Sequence, residues 1–173
     1  MTIKTIFLDR DGVINKEKNY LNQIQDFEFI EGVFESCRYF TKKGFRIIII
    51  TNQSGISRGY YTKDDYETLT KWMLNKFKSQ RINILDVFHC PHSPGDSCEC
   101  RKPLPGMFIK AQEKYNIDMT KSWSIGDKED DIIAANLSGI KNTILVQSGH
   151  KIITEQSKAS YLLKSIKDSI KII

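Results

Sequence analysis

Residues 45–52 read FRIIIITN, and four consecutive isoleucines leave this segment few choices. A strand with one wet face alternates apolar and polar residues. An unbroken β-branched run needs apolar cover on both faces, as in a parallel sheet sandwiched by helices. The run is far too short for a membrane span, which needs about 20 apolar residues. Other strand-sized segments are KTIFLD at 4–9, ILDVFHC at 84–90, SWSIGD at 122–127 and NTILVQSG at 142–149. Amphipathic stretches alternate with them at 32–44, 62–80, 105–116 and 128–139. Their ends carry helix signals. Thr62 suits an N-cap, with Asp64 and Asp65 in the first turn; Gly44 stops the first helix, Pro105 opens the third and Gly139 ends the fourth. The alternation predicts an α/β fold, a doubly wound parallel sheet, in one domain over residues 1–173. The polar tail at 151–173 yields no assignment.

Open parallel sheets bind ligands at the carboxyl ends of their strands, and the reactive residue types gather there. Asp9 and Asp11 follow the first strand, Thr51 and Asn52 end the second, cysteines and a histidine follow the third, and Asp127 ends the fourth. Asp9 and Asp11 stand two apart in DRDG, so an extended backbone turns both to one side. Close carboxylates repel unless a cation lies between them or one holds a proton. Both arrangements serve phosphoryl transfer: one carboxylate attacks phosphorus and the other handles the proton. A calcium-type loop or a plain turn is the alternative for this motif alone. Thr51 and Lys102 offer a hydroxyl and a compact positive charge to a phosphoryl group. Asp127 is a candidate magnesium ligand, and Asp131, four residues on, is placed to hold Lys102 or a metal-bound water.

Three of the four cysteines lie with a histidine between 90 and 100: Cys90, His92, Cys98 and Cys100. Three thiolates and an imidazole make a tetrahedral zinc set with no open position, so a zinc here would be structural; free or oxidised thiols are the alternative. The loop would then hold Arg101 and Lys102 in place. Cys37 fits a buried apolar position and His89 a packing position at a strand end. Net charge is +5 without a basic run, which argues against a nucleic-acid arm; the excess fits a solvated lysine-rich surface and would also help attract an anionic small molecule as partner. The N-terminus lacks signal-peptide features, so a cytoplasmic protein with no membrane partner is expected.

FLDRDG, Thr51, Lys102 and GDKEDD, in that order, resemble the haloacid dehalogenase superfamily of aspartate-nucleophile phosphatases over residues 3–147. Within it, FLDRDGVIN, TNQSGISRG, the CPH and CECRKPLPGM segments and GDKEDD resemble the heptose-bisphosphate phosphatases. The resemblance implies a monomer without a large cap domain. It would be magnesium-dependent and would remove the 7-phosphate of D-glycero-D-manno-heptose 1,7-bisphosphate, in making the activated heptose of lipopolysaccharide. It implies Asp9 as nucleophile and Asp11 as acid/base. Asp9, Asp127 and the backbone carbonyl of Asp11 would hold magnesium, and Thr51 and Lys102 would hold the phosphoryl group. Zinc on the cysteine loop follows as well. Substrate contacts map to Glu17, Lys18, Asn19 and Tyr20, to Thr51, Asn52, Gln53 and Ser54, and to Arg101, Lys102 and Lys128. KEKNY at 16–20 departs from the family's acidic-His-Gly-Tyr pattern. Histidinol-phosphate phosphatase is the near alternative, and a phospho-accepting signalling receiver is the alternative of another class. The receiver lacks a zinc loop and carries its acceptor on a later strand.

Overall fold

The computed structural model describes residues 1–151 and 154–173. Its strands are β1 (Thr5–Leu8), β2 (Arg46–Asn52), β3 (Ile84–Cys90), β4 (Trp123–Gly126), β5 (Asn142–Val146) and β6 (Tyr161–Leu163). Its helices are α1 (Val33–Lys42), α2 (Lys63–Ser79), α3 (Gly106–Tyr115) and α4 (Glu129–Leu137). The six strands form one parallel sheet in the order β3-β2-β1-β4-β5-β6.

The isoleucine run behaves as its composition requires. Ile47 and Ile49 pack with Val33, Cys37 and Phe40 of α1 and with Leu69, Met73 and Phe77 of α2. Ile48 and Ile50 face the other way, toward Met107, Phe108 and Ala111 of α3 and Ala134 and Ala135 of α4. Each buried isoleucine contributes about 2 kcal/mol, so a polar residue at any of the four would weaken one of the two cores. Cys37 is fully buried, as expected, and burial pushes its thiol up to about 12. Thr62 caps α2 in a reciprocal box: its hydroxyl accepts from the Asp65 N–H at 3.1 Å, and Asp65 accepts from the Thr62 N–H at 2.8 Å.

The sixth strand lies in the tail that sequence pattern left unassigned. It is three residues long and largely exposed, too short to carry a periodicity. It forms because β5 offers it an unpaired edge, with Ile144, Leu145 and Val146 facing Tyr161, Leu162 and Leu163. The following 3-10 turn, Ile166–Lys171, buries Ile166 against α1, and Ser36 donates to the Ile166 carbonyl at 3.2 Å. The link from β1 to α1 holds nothing larger than the 3-10 turn Ile24–Asp26. Among the described residues no helix is long and apolar enough to cross a membrane. In this order the connections from β1 and β4 run to opposite sides, and a crevice opens beyond the carboxyl ends of the two strands.

Candidate active site

That crevice is a cleft of about 310 Å³, with acids at its floor and cations at its rim. Asp9 leaves the end of β1 and its Oδ1 accepts from Lys102 Nζ at 2.9 Å. The same ammonium donates to the Ile50 carbonyl at 2.9 Å and lies 2.6 Å from Asp131 Oδ1. Lys102 is 4% exposed. Burial alone would lower its pKa, but Asp131 and Asp9 outweigh burial and hold it above the usual lysine range. Its backbone is pinned by Asn52, which accepts from the Lys102 N–H and donates to the Lys102 carbonyl, both at 3.1 Å. Asn52, expected as a substrate contact, thus fixes Lys102 to the end of β2.

Asp127 is fully buried at the end of β4. Its Oδ2 accepts from the His150 backbone N–H at 3.0 Å and lies 2.6 Å from His150 Nδ1. Gly12 and Gly149 line the same oxygen so closely that a Cβ on either would come within 2.3 or 2.1 Å of it, and Gly12 also has φ +89°. Oδ1, by contrast, is buried with no hydrogen-bond partner among the described residues. Asp9, Asp127 and Asp131 each offer an oxygen within 4.8 Å of the others. Burial raises Asp9 well above the ordinary carboxylate range; Lys102 opposes that rise, and Asp131, Asp127 and Asp11 add to it. A divalent cation among these oxygens would satisfy the orphaned Oδ1 and offset the repulsion, and an all-oxygen donor set suits magnesium. Asp131 has little left to give a metal. Its Oδ1 meets Lys102, and its Oδ2 accepts from the N–H groups of Asp127 and Lys128 at 3.1 Å each.

Asp11 lines the same cleft but stands outside this trio of oxygens. Its Oδ1 accepts from Arg10 Nη2 and Asn15 Nδ2, each at 3.0 Å. Its Oδ2 accepts from Arg10 Nε at 3.1 Å and Gln53 Nε2 at 3.0 Å. Burial would raise this carboxyl, but the Arg10 guanidinium and the hydrogen bonds of Arg10, Asn15 and Gln53 hold it below the ordinary range. Asp9 and Asp11 thus both line the cleft, but their carboxylates take different partners: the chain leaves extended geometry after Leu8, and Gly12 carries it into a turn.

Of the expected substrate contacts, Glu17, Asn19, Tyr20, Asn52, Gln53, Ser54, Arg101, Lys102 and Lys128 line the cleft. Lys18 does not: it turns to the Asp26 carbonyl and to Glu28. Thr51 is buried behind the wall, and its hydroxyl accepts from Gln53 at 2.9 Å. Sequence reasoning passed over Arg10, Asn15, Tyr61 and His150, while Arg58 entered it only through the TNQSGISRG pattern. For His150 a signal existed. It follows β5 as Asp127 follows β4, and the strand-end rule covers both positions.

The cysteine loop lies beside this cleft. Cys90 Sγ stands 3.0 Å from Cys100 Sγ and 3.8 Å from Cys98 Sγ, and His92 Nδ1 is 3.4 Å from both Cys90 and Cys100. Burial, with Cys100 beside it, pushes Cys90 up to about 12. Arg101 Nη1 donates to the His92 carbonyl at 3.1 Å, which ties the basic pair to the loop. Outside the loop, His89 packs its ring against Tyr66 at 4.3 Å, as a packing residue should.

A HAD-hydrolase-like family model matches residues 99–169. The D-glycero-alpha-D-manno-heptose-1,7-bisphosphate 7-phosphatase of Photorhabdus laumondii is 48% identical over 155 residues, covering 86% of this chain and 85% of the relative. The D-glycero-beta-D-manno-heptose-1,7-bisphosphate 7-phosphatase of Yersinia pestis is 39% identical over 180 residues, covering 99% and 96%. A crystal structure of D,D-heptose 1,7-bisphosphate phosphatase from B. bronchiseptica, complexed with magnesium and phosphate, superposes with a TM-score of 0.91 at 27% identity, covering 98% and 97% of the two chains. At these identities and over these lengths, this chain belongs to the D-glycero-D-manno-heptose-1,7-bisphosphate 7-phosphatase family of haloacid dehalogenase-like hydrolases.

Proposed function

We propose that this chain, working as one domain and a monomer in the cytoplasm, removes the 7-phosphate of D-glycero-D-manno-heptose 1,7-bisphosphate in making the activated heptose of lipopolysaccharide. The observation that carries the reading is the buried Lys102 ammonium bridging Asp9 and Asp131, beside the orphaned oxygen of Asp127. Asp9 Oδ attacks phosphorus, and the bond from phosphorus to the C7 oxygen breaks. Asp11, a carboxylate before substrate binds, takes up a proton as the phosphate dianion enters beside it and gives that proton to the leaving oxygen; it then takes one from the water that splits the aspartyl-phosphate, and inorganic phosphate departs. Lys102 holds a phosphoryl oxygen while Asn52 and Asp131 hold Lys102. Asp9, Asp127 and the Asp11 carbonyl would hold magnesium, which when bound neutralises charge on the transferring group. Arg58, Arg101 and Lys128 at the rim provide positive charge for the remote phosphate. Thr51 is assigned to supporting Gln53 rather than to touching the phosphoryl group.

Zinc on Cys90, His92, Cys98 and Cys100 belongs to the same reading. A tetrahedral site with zinc–sulfur bonds of about 2.3 Å puts its sulfurs about 3.8 Å apart; Cys90 and Cys98 stand at 3.8 Å, and Cys90 and Cys100, at 3.0 Å, would have to move apart to bind it. Of the two relatives described, the more identical carries the α-anomer name, so the α-bisphosphate is the preferred substrate here. Phosphate release should be measured on both anomers, on histidinol phosphate and on fructose bisphosphate. The α-heptose bisphosphate should have the highest kcat/KM; a higher value for histidinol phosphate would replace this reading with the alternative enzyme.

A further inference from the structure

Asp11 must change its proton during turnover, so the groups that aim it matter as much as the carboxyl itself. Three of its four hydrogen bonds come from neighbours in its own turn, two from Arg10 and one from Asn15. The fourth comes across the fold from Gln53, which is 3% exposed. A glutamine amide has a donor end and an acceptor end, and only the donor end suits the Asp11 carboxylate. The Gln53 NH2 group serves Asp11 and Thr51 together, at 3.0 and 2.9 Å. Its oxygen accepts from the Tyr61 hydroxyl at 2.5 Å.

Tyr61 reaches that oxygen because of residue 55. A Cβ on Gly55 would lie 2.1 Å from Tyr61 Cε1, so the ring occupies space that only glycine leaves free. Burial pushes the phenol up to about 12, so its hydroxyl keeps the proton it donates. Without that hydroxyl, Gln53 Oε1 would be a buried acceptor with no partner, and the amide could swing or turn over beside Asp11.

We infer that Tyr61 is a positioning residue for the acid/base, acting through Gln53: the Tyr61 hydroxyl holds the amide by its oxygen and so presents the NH2 group to Asp11. The inference rests on the phosphatase reading above, in which Asp11 protonates the leaving oxygen. Tyr61 itself need not touch substrate.

The test uses leaving groups of different need. A sugar alkoxide requires a proton as it departs, whereas p-nitrophenolate leaves without one. Tyr61→Phe should lower kcat/KM for the heptose bisphosphate about 3- to 10-fold, the range for losing one hydrogen bond. For p-nitrophenyl phosphate, kcat/KM should change less than about 2-fold on the same grounds, because no proton is then required. Gln53→Ala should show the same selectivity with a larger loss. In the Gln53→Ala background, Tyr61→Phe should add almost nothing. Equal losses on the two substrates, or losses that multiply in the double variant, would overturn the inference and leave Tyr61 a packing residue. An unchanged kcat/KM for the sugar substrate in Tyr61→Phe would overturn it as well. If the wild-type chain turns over neither substrate, the phosphatase reading fails and this inference falls with it; turnover of both with an unselective Tyr61→Phe removes the inference alone.

Discussion

The floor of the cleft and the cysteine loop are two small clusters of metal-ligating side chains, and they are built on opposite plans. The floor offers carboxylate oxygens to a site that also holds the ammonium of Lys102, and one oxygen, Asp127 Oδ1, has no partner among the described residues. The loop offers three sulfurs and one imidazole nitrogen, all turned on one another. Hard oxygen donors that leave room for water and phosphate suit an exchangeable magnesium. A closed set of soft donors suits a zinc that stays. On the proposed reading the first plan serves chemistry and the second serves shape, and the two regions meet at Arg101 and Lys102.

The sharpest way to break that division is at the floor. Asp9→Asn should lower turnover by about 10⁴-fold or more, the order expected for a lost nucleophile, with an unchanged thermal midpoint. Substantial turnover in that variant would sink the covalent mechanism. Mild chelation should reversibly abolish activity while metal analysis still finds about one zinc per chain, since three thiolates hold zinc far more tightly than carboxylates hold magnesium. Loss of both metals together would erase the contrast. At the loop the expected sign is reversed: Cys98→Ser and Cys100→Ser should lose zinc and about 3 kcal/mol of stability, a fall of roughly 6–12 °C in Tm. Activity should fall less than in Asp9→Asn. If zinc content and Tm are unchanged, the loop reading is wrong.

Where the regions meet, Arg101→Ala should cost the bisphosphate about 10- to 150-fold in kcat/KM, as for one charge-assisted hydrogen bond. The 7-monophosphate should suffer much less; equal losses would remove Arg101 from the remote phosphate. The smallest effect lies nearer the start of β3, away from the strand end that carries the loop. There Asp86 accepts from Lys114 and Tyr115, both at 2.8 Å. Burial would raise this carboxyl, but those partners and the Val87 N–H hold it below its ordinary 3.8. Its contribution is therefore present above 3.8 and lost as pH falls through the lower folded value. Asp86→Asn should cost a few tenths to about 1 kcal/mol at neutral pH, and the difference from wild type should vanish in acid.

Much of this was legible in the chain. The continuous isoleucines called for a sheet covered on both faces, and the two cores that receive Ile47 with Ile49 and Ile48 with Ile50 agree. The Thr62 box and the extent of β3 were readable because caps and strands depend on neighbours a few residues away. The convergence of Asp9, Asn52 and Asp127 followed from one rule about strand ends. The hydrogen-bond partners of Asp11 were not readable, because residues just past a strand need not keep its alternation.

What the sequence determined by itself is the set of elements, their alternation and the residue types delivered to the carboxyl ends of the strands. These follow from periodicity and from interactions within a turn or two. Only the tertiary structure decided that Asn52 holds Lys102, that His150 rather than solvent meets Asp127 Oδ2, that Tyr61 reaches Asp11 through Gln53, and that the tail supplies a sixth strand. Asn52 and Lys102 stand 50 residues apart, and His150 and Asp127 stand 23 apart. Such pairings depend on strand register and on how loops pack over the sheet. A side chain with several possible hydrogen-bond partners takes the one that the assembled fold brings within about 3 Å.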